Sequence, residues 1–168
     1  MKRFLLRLIL IIILIPTNLY SQVNDSAILA DSPPKLLSEY GFFLNTKDQT
    51  TLPGVLPYEL ITSLFSDYAD KHRFVYVPKG KIAAYQKNSV FSFPVGSVLI
   101  KTFSYEPINN QRSERHLIET RLLIRKDSGW DALTYVWDEE AQEASLALAG
   151  RTVKANYIAN DGRLLDIR

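Results

Sequence analysis

The sequence predicts a mainly β protein: an antiparallel sandwich or partly open barrel with a short N-terminal helix. Three observations carry that expectation. Residues 98–105, 117–125 and 130–137 alternate apolar and polar side chains with the period of a strand. Turn formers punctuate the chain at short intervals, as in Asp127-Ser128-Gly129 and Asn160-Asp161-Gly162. Tyr and Phe together supply 17 residues, a composition that favours strands over helices.

A length of 168 residues fits one folded domain. Residues 1–21 read as a secretory signal. Lys2, Arg3 and Arg7 make a positive start, residues 8–15 form an unbroken apolar run, and Pro16 ends it before the small Ser21. That run is too short for a stable membrane anchor. The expected location is therefore periplasmic or secreted, with membrane contact only in transit through this signal. The chain has no cysteine, which excludes disulfides, a thiolate metal site and C-x-x-C-H haem attachment within it. Formal charge is only +2, and no basic stripe interleaves with aromatics, so nucleic acid is not an expected partner.

Residues 22–34 are polar and small, end in Ser32-Pro33-Pro34, and read as a flexible linker. Residues 35–168 read as a single β-rich domain. Within it, residues 35–44 space their apolar side chains helically and stop near Gly41, which predicts a short helix. Residues 45–57 are loop-like, and Pro57 suits the first position of a helical turn running to Leu64. Residues 73–77 form a strand stopped by Pro78, followed by extended pieces at 81–86 and 90–93. After the central three strands, residues 144–148 extend again. Residues 152–158 and 163–167 make a last hairpin, because Asp161-Gly162 tolerates positive φ.

A tight turn at Asp127-Ser128-Gly129 places Lys126 opposite Trp130, and with it Arg121 opposite Tyr135 and Glu119 opposite Trp137. One face of the ribbon then holds Val98, Ile100, Thr102, Ile118, Thr120, Leu122, Ile124, Trp130, Ala132, Thr134 and Val136, and is the expected core. The other sets Lys101, Glu119 and Arg121 among Leu99, Phe103, Tyr105, Tyr135 and Trp137. Lys101, Glu119, Arg121, Phe103, Tyr135 and Trp137 are therefore the candidate ligand-binding residues. Cations beside aromatic rings suit an anionic ligand or a flat cofactor. The same charges also read as a structural cross-strand ladder.

Asp67, Asp70 and His72 are the candidate metal ligands, two carboxylates and an imidazole within six residues. The bland alternative is that Asp67 closes an Asx turn and His72 sits at a strand edge. A metal-dependent hydrolase needs more ligands than these three. His116 and Glu119 fall on opposite faces of a strand and make no catalytic pair. No nucleophile elbow, phosphate-binding glycine loop, zinc-helix motif or calcium loop occurs in the sequence.

Several segments together resemble one family. They are Gly54-Val55-Leu56-Pro57-Tyr58-Glu59-Leu60, the run from Leu64-Phe65-Ser66-Asp67-Tyr68 to Arg73-Phe74, Phe93-Pro94-Val95-Gly96-Ser97, Ile118-Glu119-Thr120-Arg121, and Tyr135-Val136-Trp137. In order and character they resemble the all-β domain that precedes the haem region of exported bacterial diheme c-type cytochromes. The resemblance covers the chain from about Pro33 onward. It implies an exported, non-catalytic interaction or substrate-binding module of a periplasmic electron-transfer system. The family carries C-x-x-C-H sites downstream, and this chain has none. Haem c is thus implied only for a missing region or a partner, and the implied partner is a c-type haem domain or cytochrome. The alternative is a stand-alone secreted protein that binds a ligand or haem through the Lys101/Glu119/Arg121 aromatic face.

Overall fold

The computed structural model describes residues 22–62, 64–65, 69–105, 115–138, 140, 142–148, 155–158 and 164–167. The expected signal at residues 1–21 lies outside the described residues. The chain opens with a short helix α1 (Asp25–Leu29), a 3-10 turn (Leu37–Tyr40) and a small antiparallel pair, β1 (Phe43–Asn45) with β2 (Thr50–Thr51). Then come β3 (Val55–Pro57), β4 (Asp70–Tyr76), β5 (Val98–Tyr105), β6 (His116–Lys126), β7 (Gly129–Trp137) and β8 (Ala144–Leu146). These six form one sheet in which spatial order equals chain order, and every pairing is antiparallel. A second small pair, β9 (Ala155–Ile158) with β10 (Leu164–Ile167), closes the list. The molecule is mainly β and antiparallel, as expected, and its sheets are not closed into a barrel.

The sheet is a meander because its strands alternate and its connections are local, so each strand finds its chain neighbour at the lowest loop-closure cost. One face is covered by the N-terminal segments. Ile28 from α1, Leu37 and Tyr40 from the 3-10 turn, and Phe42 pack on Phe74, Tyr76, Val98, Ile100, Leu122, Ile124, Tyr135 and Trp137. Tyr40 stacks on Phe42 at 5.2 Å and meets Tyr135 edge-on at 5.9 Å. The polar tips of this core are matched: Tyr40 and Tyr135 share a hydroxyl hydrogen bond of 3.0 Å, and Tyr135 also donates to the Pro34 carbonyl at 2.8 Å.

Residues 22–34, expected as a flexible linker, are instead part of the fold. Asn24 caps α1 by accepting from the Ala27 amide at 3.1 Å, and Ile28 is fully buried. Lys126 reaches from the end of β6 to donate to the carbonyls of Ile28 and Ala30, at 2.7 and 2.9 Å. Those carbonyls end the short helix and have no intrahelical partner, so a cation there satisfies both. Gly41, at φ +66°, ends the 3-10 turn where only a left-handed residue fits. Among the described residues no helical turn follows Pro57; Val55–Pro57 pairs with β4 as an edge strand, a place where proline's missing donor costs nothing.

The register of β6 with β7 differs from expectation by one residue. Lys126 pairs with Gly129, Arg125 with Trp130, Arg121 with Thr134, Thr120 with Tyr135 and Glu119 with Val136. The turn is thus Asp127-Ser128, with Gly129 already paired at φ +147°, a conformation that only glycine adopts readily. A one-residue slip exchanges the faces of a whole strand. Tyr135 and Trp137 therefore enter the core, and Trp130, Ala132, Thr134 and Val136 take the outer face. A second correction concerns Ile118. Phe103 pairs with Glu119 but Ser104 with Leu117, so Ile118 is the extra residue of a bulge and Leu117 is the buried one.

Candidate functional site

The outer face of the sheet holds most of the candidate ligand-binding residues. Its central row runs Arg73, Lys101, Arg121, Thr134 across β4, β5, β6 and β7, and the next row runs Lys71, Phe103, Glu119, Val136. Directly opposed side chains of neighbouring strands stand about 5 Å apart. Four basic residues, Lys71, Arg73, Lys101 and Arg121, thereby share two adjacent rows with Phe103 and Glu119. Lys101 Nζ lies 4.5 Å from the Phe103 centroid and Arg121 Cζ lies 5.0 Å from it. Arg121 is also ion-paired to Glu119 at 2.5 Å.

The burial of these groups is partial, which keeps the charges reachable. Arg121 is the most open, 57% exposed, and Glu119 is 21% exposed. Lys101 is held below the ordinary lysine value, first by burial of its stem and then by the neighbouring charges of Arg73, Arg121 and Lys71, against which Glu119 pulls the other way. Basic residues therefore outnumber acidic ones in these two rows. Arg73 donates to the Lys71 carbonyl at 3.2 Å, and Lys71 donates to the Leu64 carbonyl. Above the cations, Val75, Leu99 and Leu123 pair across the same face as an apolar strip.

Of the six residues the sequence singles out, Lys101, Phe103, Glu119 and Arg121 come together on this face. Tyr135 and Trp137 lie on the opposite one, at 0% and 5% exposure, where Trp137 donates to Thr120 at 2.9 Å. Sequence reasoning passed over Lys71 and Arg73. The signal was present in residues 71–76, where basic and apolar residues alternate, Lys71, Arg73 and Val75 against His72, Phe74 and Tyr76.

For the metal expectation, Asp67 lies outside the described residues. Asp70 is exposed at the start of β4, and His72 is hydrogen-bonded through Nε2 to Ser104 Oγ at 2.9 Å. Among the described residues, no group of three or more His, Cys, Asp or Glu side chains is placed to hold a metal ion. Also among them, no helix is long and apolar enough to cross a membrane.

The fold defines the class: a mainly β, antiparallel sheet protein, with Lys101 and Arg121 over the Phe103 ring on its outer face. No protein-family model, curated protein or solved structure matches the chain.

Proposed function

We propose that the chain is an exported, non-catalytic binding module of a c-type cytochrome system, engaging the carboxylate-bearing surface of a haem-carrying partner through its outer sheet face. One observation supports the binding reading above others: Lys101 and Arg121 both stand over the Phe103 ring, and the register sets Lys71 and Arg73 in the same two rows with Glu119 as the neighbouring carboxylate. Guanidinium groups take carboxylates bidentately, lysine adds a mobile point charge, and the ring offers a flat apolar seat. Complementary charge of this kind sets partner choice and association rate more than raw affinity. The link to cytochromes comes from the family resemblance of the sequence, and export from the character of residues 1–21.

The test has two stages. The coding sequence beyond Arg168, or an adjacent reading frame, is inspected for a C-x-x-C-H motif; its absence from both overturns the cytochrome link. Where the motif is present, the encoded haem domain is titrated with the mature chain. The expected result is salt-sensitive binding that Lys101→Glu/Arg121→Glu abolishes. Binding that ignores this double change overturns the assignment of the face.

A second reading rests on the apolar strip of Val75, Leu99 and Leu123 beside the cations. A face apolar at one end and cationic at the other also suits an amphiphilic anion such as haem itself. Haem added to the purified mature chain then gives a visible-range spectrum that changes with Lys101→Ala. An unchanged spectrum rejects it.

A further inference from the structure

Between β4 and β5, the segment from Pro78 to Ser97 folds as an arm that carries exposed apolar side chains on both sides of a polar turn, Gln86-Lys87-Asn88-Ser89, and whose charge is all positive. The backbone of Ala84 and Ser92 exchanges two hydrogen bonds of 2.9 Å, which pinches residues 84–92 into a closed tip. Apolar side chains that a soluble protein ordinarily buries stand in the open there: Ile82 is 81% exposed, Tyr85 75%, Val90 83% and Phe91 52%. Tyr85, Phe91, Phe93 and Trp130 form a chain of ring contacts at 6.0, 6.2 and 5.8 Å, so the tip is braced against β7. Lys79, Lys81 and Lys87 lie along the arm, and residues 78–97 contain no Asp or Glu.

We infer that this arm is a membrane-docking element that inserts the Tyr85–Phe91 tip into the headgroup region of an anionic lipid bilayer. Charge complementarity decides the occupant. Lys79 and Lys81 below the tip and Lys87 in its turn, with no acidic residue along the arm, match a layer of anionic headgroups, and Tyr85, Val90 and Phe91 supply the amphipathic and apolar side chains that sit at such a boundary. Each lysine near an anionic surface strengthens binding about fivefold, and the effect fades beyond a Debye length. The brace to Trp130 matters because a pre-ordered tip loses little freedom on insertion. Lys101 and Arg121 are outside this arm, so the inference stands apart from the partner-binding face. It extends membrane contact beyond the transit signal at residues 1–21.

The experiment is co-sedimentation of the mature chain with vesicles of mixed phosphatidylcholine and phosphatidylglycerol, and with phosphatidylcholine alone. Binding to the anionic vesicles is expected, weakened by salt and by removal of phosphatidylglycerol. Tyr85→Ala/Phe91→Ala lowers partitioning about tenfold or more, and Lys81→Ser/Lys87→Ser lowers it by about fivefold per lysine. Because these side chains are exposed, the thermal midpoint stays at the wild-type value and serves as the folding control. Lys101→Ala/Arg121→Ala retains vesicle binding. Absence of binding to both vesicle types overturns the inference and leaves the tip to a protein partner. Loss of binding only in the Lys101/Arg121 variant also overturns it, by assigning the lipid contact to the sheet face.

Discussion

Lys101 on β5 stands directly opposite Arg121 on β6, and the two cations share one ring, Phe103, at 4.5 and 5.0 Å. Like charges placed opposite one another destabilise a sheet, and Arg73 on the other flank adds to the repulsion. Such an arrangement is spent stability unless an anion relieves it. Lys101→Met keeps the stem on the ring and removes the charge, so the apo protein is expected to gain about 0.2–1 kcal/mol in urea denaturation. The same change is expected to weaken anion binding. A loss of stability would show that the ring contacts outweigh the repulsion.

The depressed pKa of Lys101 makes a pH prediction with a definite sign. Its causes are burial first, then Arg73, Arg121 and Lys71. Between that lowered value and the ordinary lysine value of 10.5, the unfolded chain binds the extra proton, so folding stability rises with pH across that window. In Lys101→Met this rise is absent. Urea midpoints measured at successive pH values check it, and a wild type and variant with parallel profiles would contradict it.

Tyrosines set the opposite slope at higher pH. Tyr135 and Tyr40 are raised above 10.0 chiefly by burial, and Tyr76 is raised by burial and then by its 2.7 Å bond to Asp25. Above 10.0 the unfolded chain loses these protons first, so stability falls as pH rises. Absorbance titration near the tyrosinate band is expected to show three hydroxyls that ionise only on unfolding. Tyr135→Phe removes one of them and costs about 1 kcal/mol, because it leaves Tyr40 without its partner.

The two tryptophans read the β6–β7 register directly. Trp137 is 5% exposed and Trp130 is 44% exposed. Trp130→Phe leaves a protein whose blue-shifted emission resists a soluble quencher, whereas Trp137→Phe leaves red-shifted, readily quenched emission. Trp137→Ala costs about 3–5 kcal/mol and Trp130→Ala far less. The reverse order would restore the other register.

Gly96 tests the junction of the arm with the sheet. It has φ +91°, and a Cβ there would meet Pro78 Cγ at 2.9 Å. Gly96→Ala therefore combines backbone strain with a clash and is expected to cost about 1–3 kcal/mol. Gly80, also at positive φ but with nothing within 4 Å, bears only the strain and gives the comparison.

The three long strands were legible because their alternation is sustained and one set on each, such as Val98, Ile100 and Thr102, is clearly the buried one. The register of β7 was not. Its two faces, Trp130/Ala132/Thr134/Val136 and Asp131/Leu133/Tyr135/Trp137, are both rich in apolar and aromatic residues, so pattern did not choose between them. The turn decided it, and Asp127-Ser128-Gly129 reads equally as two or three residues until the φ of Gly129 is known. Ile118 was misplaced because Leu117 and Ile118 are adjacent apolar residues at a bulge, where alternation fails. Residues 22–34 looked like a linker because a five-residue helix anchored by Ile28 is too short to show a period. Within the candidate site, Lys101, Phe103, Glu119 and Arg121 survived the register error because β5 and β6 contribute all four.

The most direct measurement is an amide-shift titration of residues 22–168 with isophthalate, an aromatic dicarboxylate small enough to reach the outer face. Saturable shifts centred on Arg73, Lys101, Phe103 and Arg121 are expected, as is their loss in Lys101→Ala/Arg121→Ala. Shifts that centre elsewhere, or that persist unchanged in the double variant, would contradict it.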